Sequence, residues 1–127
     1  MTRFSHIEEE RPVLTAAIRG MENYKEIVGE VCVYMLSHGM CFCANISNLP
    51  PAQSLTVHIH EGFVCENAGG HFLDLPDIIS DKLGEAYALY YFDKRSLYEI
   101  AGRVIMFHIK KDGEEPAIAC GVLKRVL

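Results

Sequence analysis

The feature that most constrains the fold of this chain is an apolar pattern with a period of two. Apolar and polar residues alternate in short runs, and glycine, proline and polar clusters separate the runs. This period places successive side chains on opposite faces of an extended chain, which predicts strands rather than helices. Seven runs have strand length: residues 12–18, 27–34, 40–46, 54–60, 85–92, 103–109 and 117–123. Their spacing predicts an all-β sandwich.

Three segments outside these runs carry other signals. Residues 37–39 (SHG) lie between two β-rich runs and predict a hairpin turn. Residues 93–101 fit a single turn of helix. Residues 61–81 have no strand pattern, so we expect a long loop there, and long loops in compact domains are usually functional. The residues that break any strand pattern in this segment are Gly62, Gly69, Gly70 and Pro76.

Length and composition indicate one globular domain over residues 1–127, large enough to bury a core without obligatory metals or disulfides. The net charge of −5 gives no electrostatic footprint for nucleic acid or an anionic membrane. No apolar stretch approaches the length of a membrane span. The first residues lack the apolar region of a signal peptide, so if Met1 is the true start we expect a cytoplasmic protein. An odd count of five cysteines, none in a CxxC pair, fits a reducing compartment.

Histidine placement is the strongest chemical signal. His58 and His60 are two residues apart on one predicted strand, so both side chains project from the same face. Two such imidazoles can chelate one transition metal, and copper and zinc suit imidazole best. Taken alone, an H-x-H pair is more often one histidine packed in a core beside an incidental second one. This pair is not alone, because His71 lies in the glycine-rich segment and His108 in a late strand.

Four short motifs occur in one order along the chain. They are HIHE at 58–61, CENAGGHF at 65–72, GRVIMFH at 102–108 and ACGV at 119–122. In this order the motifs resemble the signatures of the copper/zinc superoxide dismutase family, and the resemblance spans roughly the whole chain from Val13 onward. It implies a single superoxide dismutase-like domain, a Greek-key β-sandwich or flattened barrel of about seven to eight antiparallel strands.

The resemblance also implies a copper site. It makes His58, His60, His71 and His108 the copper ligands, with His71 matching the imidazolate that bridges copper to zinc in the family. His71 is also the implied catalytic residue, which leaves copper and takes a proton in the reduced state. Asp112 stands where the family has a buried aspartate, an acceptor that would orient ligand imidazoles. A plain turn residue explains Asp112 equally well, since Asp-Gly favours turns.

Two cysteines match the family's intrasubunit disulfide. The resemblance pairs Cys65 with Cys120, which would tie the metal-binding loop to the last strand. If oxidised, a bridge closing so long a loop contributes roughly 3–4 kcal/mol. Two buried free thiols are the alternative, because reduced cysteine behaves as a small hydrophobic residue.

The chain departs from the family at the zinc site. No histidine follows His71 until His108, and Asp74 is the candidate for a surviving zinc aspartate. Two ligands cannot close the tetrahedral site that structural zinc needs. Copper is therefore the expected cofactor, and zinc binding stays open without a separate zinc site.

A second departure concerns the substrate. The segment before Cys120 is short, and Ala117 occupies the place of the family's arginine, which draws and seats the superoxide anion. Loss of such a cation can lower an association rate tenfold or more. The candidate substitutes for this charge are Lys110, Lys111 and Arg103.

Three more cysteines lie in the hairpin. Alternation places Cys41 and Cys43 on one face, and the turn places Cys32 on the same face, opposite the core. Such thiolates could hold Cu(I). We favour an apolar patch covered by a dimer partner or a loop, because cysteine is commonly buried. The predicted core residues on the opposite face are Val31, Val33, Phe42 and Ala44.

The leading functional hypothesis is a copper-dependent superoxide dismutase that converts superoxide to oxygen and hydrogen peroxide. A relative that stores, senses or buffers copper or zinc without catalysis is the alternative, and fold alone does not decide between them. A degenerate sandwich kept for protein contacts is a third hypothesis, against which the complete histidine set argues. We expect superoxide and no nucleic acid or membrane as partners, and the resemblance makes a homodimer reasonable.

Overall fold

The computed structural model describes residues 11–92 and 97–126. Within these residues the chain forms nine strands and one short helix. The strands are β1 (Leu14–Gly20), β2 (Val28–Leu36), β3 (Gly39–Ser47), β4 (Ser54–His60), β5 (His71–Ile79), β6 (Ala86–Phe92), β7 (Val104–Ile109), β8 (Ala117–Val122) and β9 (Lys124–Arg125), and the helix α1 is Leu97–Ile100. Each of the seven predicted runs overlaps a strand whose ends lie within two residues of the prediction.

The predicted hairpin turn and helical turn are also present. Strand β2 pairs with β3 up to Leu36 and Gly39, so residues 37–38 form the tight connection. Helix α1 lies inside the predicted helical segment, whose residues 93–96 fall outside the described residues. This four-residue helix is far shorter than the roughly 20 residues that cross a bilayer, and the described residues contain no helix able to do so.

The prediction of a loop over residues 61–81 was wrong in its second half, where β5 pairs with β4. Leu55 pairs with Ile78 and Val57 pairs with Leu75, so an interval of two residues on β4 lies across from an interval of three residues on β5. This register shift breaks the period of two in the β5 sequence, which hid the strand. Pro76 has no amide hydrogen to donate, which is tolerated because β5 lies at the end of the strand order and pairs with one strand, β4.

All ladders are antiparallel, and the order across the sheet is β5-β4-β7-β8-β1-β2-β3-β6, with β9 paired to β1. Strands β3 and β4 follow each other in sequence but lie on opposite sides of the sheet, which is the Greek-key pattern. The two end strands meet where the Tyr90 hydroxyl donates to the Pro76 carbonyl at 2.8 Å. The sheet therefore curls into a nearly closed antiparallel barrel with the apolar face inside.

Alternation sorts each strand into a core face and an outer face. On β4, Leu55, Val57 and Ile59 are buried in the core, so His58 and His60 belong to the outer face. On β7, Phe107 enters the core. Met106, Val104 and Cys120 form a second, smaller apolar cluster that packs against Cys65 and Ala68. The segment after β4 therefore covers the outer face of β4, β7 and β8, beside the histidines.

The hairpin cysteines lie as alternation predicted. The residues expected in the core, Val31, Val33, Phe42 and Ala44, are buried. Cys32 pairs directly across from Cys43, and Cys32, Cys41 and Cys43 are free and partly exposed. Exposed side chains of β6 continue this outer face; they are Tyr87, Leu89 and Tyr91.

Candidate metal centre

Three adjacent strands bring four histidines together. Strand β4 lies between β5 and β7 and carries His58 and His60. His60 pairs across from His71, the first residue of β5, and His108 near the end of β7 pairs across from Thr56. The four residues predicted as copper ligands from the family resemblance are therefore neighbours on one outer face of the sheet.

The four imidazole rings form one compact cluster. The ring centroids of His58 and His71 are 3.8 Å apart and those of His60 and His71 are 4.9 Å apart. His108 lies 5.1 Å from His58, and the largest separation, between His71 and His108, is 6.4 Å. Four imidazoles at these distances can share one small ion.

Two backbone carbonyls orient the imidazoles of His60 and His108. His60 Nδ1 lies 2.9 Å from the Gly69 carbonyl oxygen, and His108 Nδ1 lies 3.0 Å from the Glu115 carbonyl oxygen. Because a carbonyl can only accept, each Nδ1 must carry the proton, which leaves each Nε2 with a free lone pair. Neutral imidazoles held in this way are suited to bind a metal through Nε2.

The imidazole nitrogens that have no hydrogen-bond partner are suited to bind a metal ion. Within residues 11–92 and 97–126, the buried side-chain nitrogens without a hydrogen-bond partner are His58 Nδ1, His60 Nε2 and His108 Nε2. Buried polar atoms normally have partners, so three such atoms in one place require an explanation. Ligand atoms of these same three residues lie within 4.8 Å of one another. A bound transition metal would satisfy all three at once.

His71 and Asp74 extend the cluster toward solvent. Asp74 Oδ1 lies 3.6 Å from His58 Nε2 and 3.7 Å from His71 Nδ1. Ligand atoms of these three residues form a second close group that shares His58 with the first. The side chain of His71 is 53% exposed and that of Asp74 is 76% exposed, so this end of the cluster is open. The role of His71 as fourth ligand stays a prediction.

Burial and neighbouring rings favour the neutral form of two histidines, His58 and His108. Burial, then the neighbouring His71 and His108 rings, lower the pKa of His58, and the Asp74 carboxylate opposes this only in part. Burial also lowers the pKa of His108, against the hydrogen bond to the Glu115 carbonyl that raises it. Lowered pKa values leave both rings unprotonated near neutral pH, which is the form that binds metals.

The remaining predicted residues lie around this cluster. Cys65 and Cys120 form the disulfide that the family resemblance implied. Asp112 lies in the exposed turn after β7 with a φ of +52°, and its role as acceptor for ligand imidazoles stays a prediction. Ala117 is partly buried at the start of β8, directly across from His108.

The predicted substitutes for the missing cation differ in their surroundings. Lys110 and Lys111 are exposed just beyond the end of β7. Arg103 instead donates from Nη1 to the Glu61 carbonyl and from Nε to the Glu99 carbonyl. Its guanidinium is therefore hydrogen-bonded to backbone carbonyls, and one of them, that of Glu61, directly follows His60 in the chain.

Sequence reasoning missed the two carbonyls that orient the imidazoles. Gly69 and Glu115 act through their backbone oxygens, and a backbone oxygen has no signature in the residue type. The one hint was the glycine-rich composition of the segment around Gly69. Only the folded chain shows which carbonyl meets which ring.

Comparisons with known proteins agree with this architecture. Neither protein-family models nor curated protein sequences match the chain. Among solved structures, a double mutant of a SOD-like protein from Bacillus subtilis superimposes with a TM-score of 0.72. It is 21% identical and the match covers 87% of this chain and 96% of that one. The chain therefore has the fold of a SOD-like protein, with a histidine cluster that could hold a metal ion on the outer face of its barrel.

Proposed function

We propose that this chain is a copper-dependent superoxide dismutase, which converts two superoxide anions and two protons into oxygen and hydrogen peroxide. The observation that carries the proposal is the set of three buried, unpartnered nitrogens of His58, His60 and His108. Imidazole nitrogens suit copper well, and the fold resembles that of a SOD-like protein. Copper bound there would supply the one-electron couple that the reaction needs.

Each residue of the cluster has a distinct task in this proposal. His58, His60 and His108 hold the metal from the rigid surface of β4 and β7. The Gly69 and Glu115 carbonyls keep the Nδ1 protons of two of these rings away from the metal. Imidazole nitrogens that the fold holds in place need to move little when a bound metal changes its oxidation state. This favours fast electron transfer.

His71 is suited to carry the protons. Its ring stacks on His58 and is exposed to solvent, so it lies between the buried ligands and water. Its Nδ1 lies 3.7 Å from Asp74 Oδ1, and these two exposed side chains form the solvent-facing end of the cluster. In this proposal His71 takes a proton from solvent and delivers it to the reduced oxygen species.

A metal-binding protein without dismutase activity is the second candidate. By the family resemblance, Ala117 stands where the family has the arginine that seats the substrate. The open end of the cluster carries the exposed Asp74 carboxylate, and the chain has a net charge of −5. The negative charges of Asp74 and of the whole chain repel an anionic substrate, but they do not prevent metal binding.

Metal analysis paired with a superoxide assay tests the proposal. Protein loaded with one copper per chain should consume superoxide in the presence of a chelator that suppresses the reaction of free copper. His60→Ala should abolish this rate, whereas His38→Ala, in the exposed hairpin turn, should not. Stoichiometric copper without catalysis would favour the storage or sensing hypothesis. Superoxide as the substrate, a homodimer and a cytoplasmic location stay predictions.

A further inference from the structure

Arg103 connects three segments around the candidate metal centre. It lies between Gly102 and β7, the strand that carries His108. Its Nε donates to the Glu99 carbonyl in α1 at 2.6 Å, and its Nη1 donates to the Glu61 carbonyl at 2.7 Å. Hydrogen bonds from a charged donor are stronger than those between neutral groups.

The same guanidinium packs against aromatic rings. Its Cζ lies 4.0 Å from the centroid of the Phe72 ring and 5.5 Å from that of the Phe63 ring. Both distances are within the range of cation–π attraction. Arg103 therefore contacts β5 through Phe72 as well as the segment after β4 through Glu61 and Phe63.

These contacts fall next to two histidines of the cluster. Glu61 directly follows His60, and Phe72 directly follows His71. Successive side chains of a strand point to opposite faces, so a Phe72 ring held against Arg103 fixes the direction of the neighbouring His71 ring. His71 needs this support because it is half exposed and lies at the start of its strand.

Backbone hydrogen bonds extend the same support. Val104, the residue after Arg103, donates from its amide to the Gly62 carbonyl at 3.0 Å. The Glu61 amide donates to the Gly70 carbonyl at 2.8 Å. This last bond closes the loop whose Gly69 carbonyl accepts the His60 Nδ1 proton.

We propose that Arg103 is a positioning residue of the metal centre, which sets the direction of His60 and His71 without touching the metal. The proposal rests on the metal binding proposed above. It assigns Arg103 a role other than substrate steering, because the guanidinium is engaged by two carbonyls and two rings. A lysine would keep the charge but not the planar fork that donates in two directions while stacking on Phe72.

Arg103→Lys tests the proposal, with Arg125→Lys as the matched control. Arg125 also stacks on an aromatic ring, 5.0 Å from the Tyr98 centroid, but it lies on β9. We expect Arg103→Lys to weaken Cu(II) affinity about tenfold, as is typical when a group supporting metal ligands is lost. The electron paramagnetic resonance spectrum of bound Cu(II) should change as well. Arg125→Lys should change neither.

Two measurements separate positioning from mere stability. In the metal-free protein, Arg103→Lys should speed amide hydrogen exchange at Glu61 and Val104 more than at the core residue Phe107, with a small change in the unfolding midpoint. Uniformly faster exchange, or affinity and spectrum equal to wild type, would overturn the proposal. If wild-type protein binds no copper, the proposed function fails, and faster local exchange would then still support Arg103 as organiser of the histidines.

Discussion

The ring of His71 stacks on the ring of His58 at a centroid separation of 3.8 Å, with 25° between the ring planes. His58 is largely buried on the central strand of the site, whereas His71 is exposed at the start of its neighbour. The pair thus forms a continuous path of imidazole from the buried donor atoms to solvent. Asp74 lies against both rings at its outer end.

One copper ion should bind per chain through the histidine cluster. His60→Ala and His108→Ala should each reduce the affinity strongly, because each removes one of the unpartnered buried nitrogens. Isothermal titration with a competing chelator measures the loss. His38→Ala is the control because His38 is exposed in the β2–β3 turn. Equal effects of all three variants would show that the site is elsewhere.

Zinc should not occupy a second site beside copper. The second group of close ligand atoms shares His58 with the first and adds only His71 and Asp74. Too few independent donors are left to close a tetrahedral zinc site once His58 holds copper. Metal analysis after loading with both ions should give a total near one per chain. A total of two, with anomalous scattering from two adjacent ions, would contradict this expectation.

The Cys65–Cys120 disulfide should stabilise both the fold and the segment of residues 61–70, which connects β4 to β5 beside the histidines. It joins residues 55 positions apart, and closing a loop of this length stabilises a protein by roughly 4 kcal/mol in the chain-entropy description. Urea unfolding of a Cys65→Ala, Cys120→Ala double variant measures the loss. The control is Cys41→Ala, which removes a free thiol. Copper affinity should also fall, because the loop between Cys65 and β5 carries the Gly69 carbonyl. Equal stability of the double variant and the control would contradict this.

The thiol of Cys32 should ionise only at high pH. Burial, followed by the Glu30 carboxylate, raises the pKa of Cys32 to about 11 from its ordinary value of 9.0. Iodoacetamide reacts with the thiolate, so alkylation of Cys32 should show a midpoint near the higher value in folded protein and near the ordinary value in urea. Glu30→Gln should lower the folded midpoint in part. A folded midpoint that coincides with the unfolded one would refute the assignment.

The same pKa shift has a consequence for stability. A group that holds its proton more tightly when folded stabilises the native state below its unfolded pKa, and this contribution is lost as the pH rises through the folded value. Wild type should therefore lose stability between about pH 9 and 11 to a greater extent than Cys32→Ala. Urea midpoints measured across this interval check the sign.

Any dismutase activity should be slower than the diffusion-limited rates of the enzyme class and should depend weakly on salt. Ala117 provides no guiding charge, and the net charge of −5 opposes an anion. Stopped-flow decay of superoxide across a salt series measures the dependence. A fast rate that falls steeply with salt and is lost in a Lys110→Gln, Lys111→Gln variant would show that these lysines steer the substrate instead.

The sequence by itself determined seven of the nine strands of the described residues and indicated which histidines lie together. Alternation located seven strands because burial of one face imposes a period of two wherever the pairing register is regular. It also placed His58 and His60 together and sorted Cys32 and Cys43 away from the core. The order of the four histidine and cysteine motifs indicated the fold that the comparison with the Bacillus subtilis SOD-like protein supports.

Tertiary structure decided what depends on contacts between distant segments. Strand β5 was missed because its register shift against β4 removes the local period, so only the partner strand reveals it. The Gly69 and Glu115 carbonyls were beyond prediction, since any residue could supply them and only chain geometry selects these two. The same holds for Arg103, because no sequence pattern indicates its hydrogen bonds to the Glu61 and Glu99 carbonyls. A side chain's chemistry is set by its residue type, but its partners are set by where the whole chain brings it.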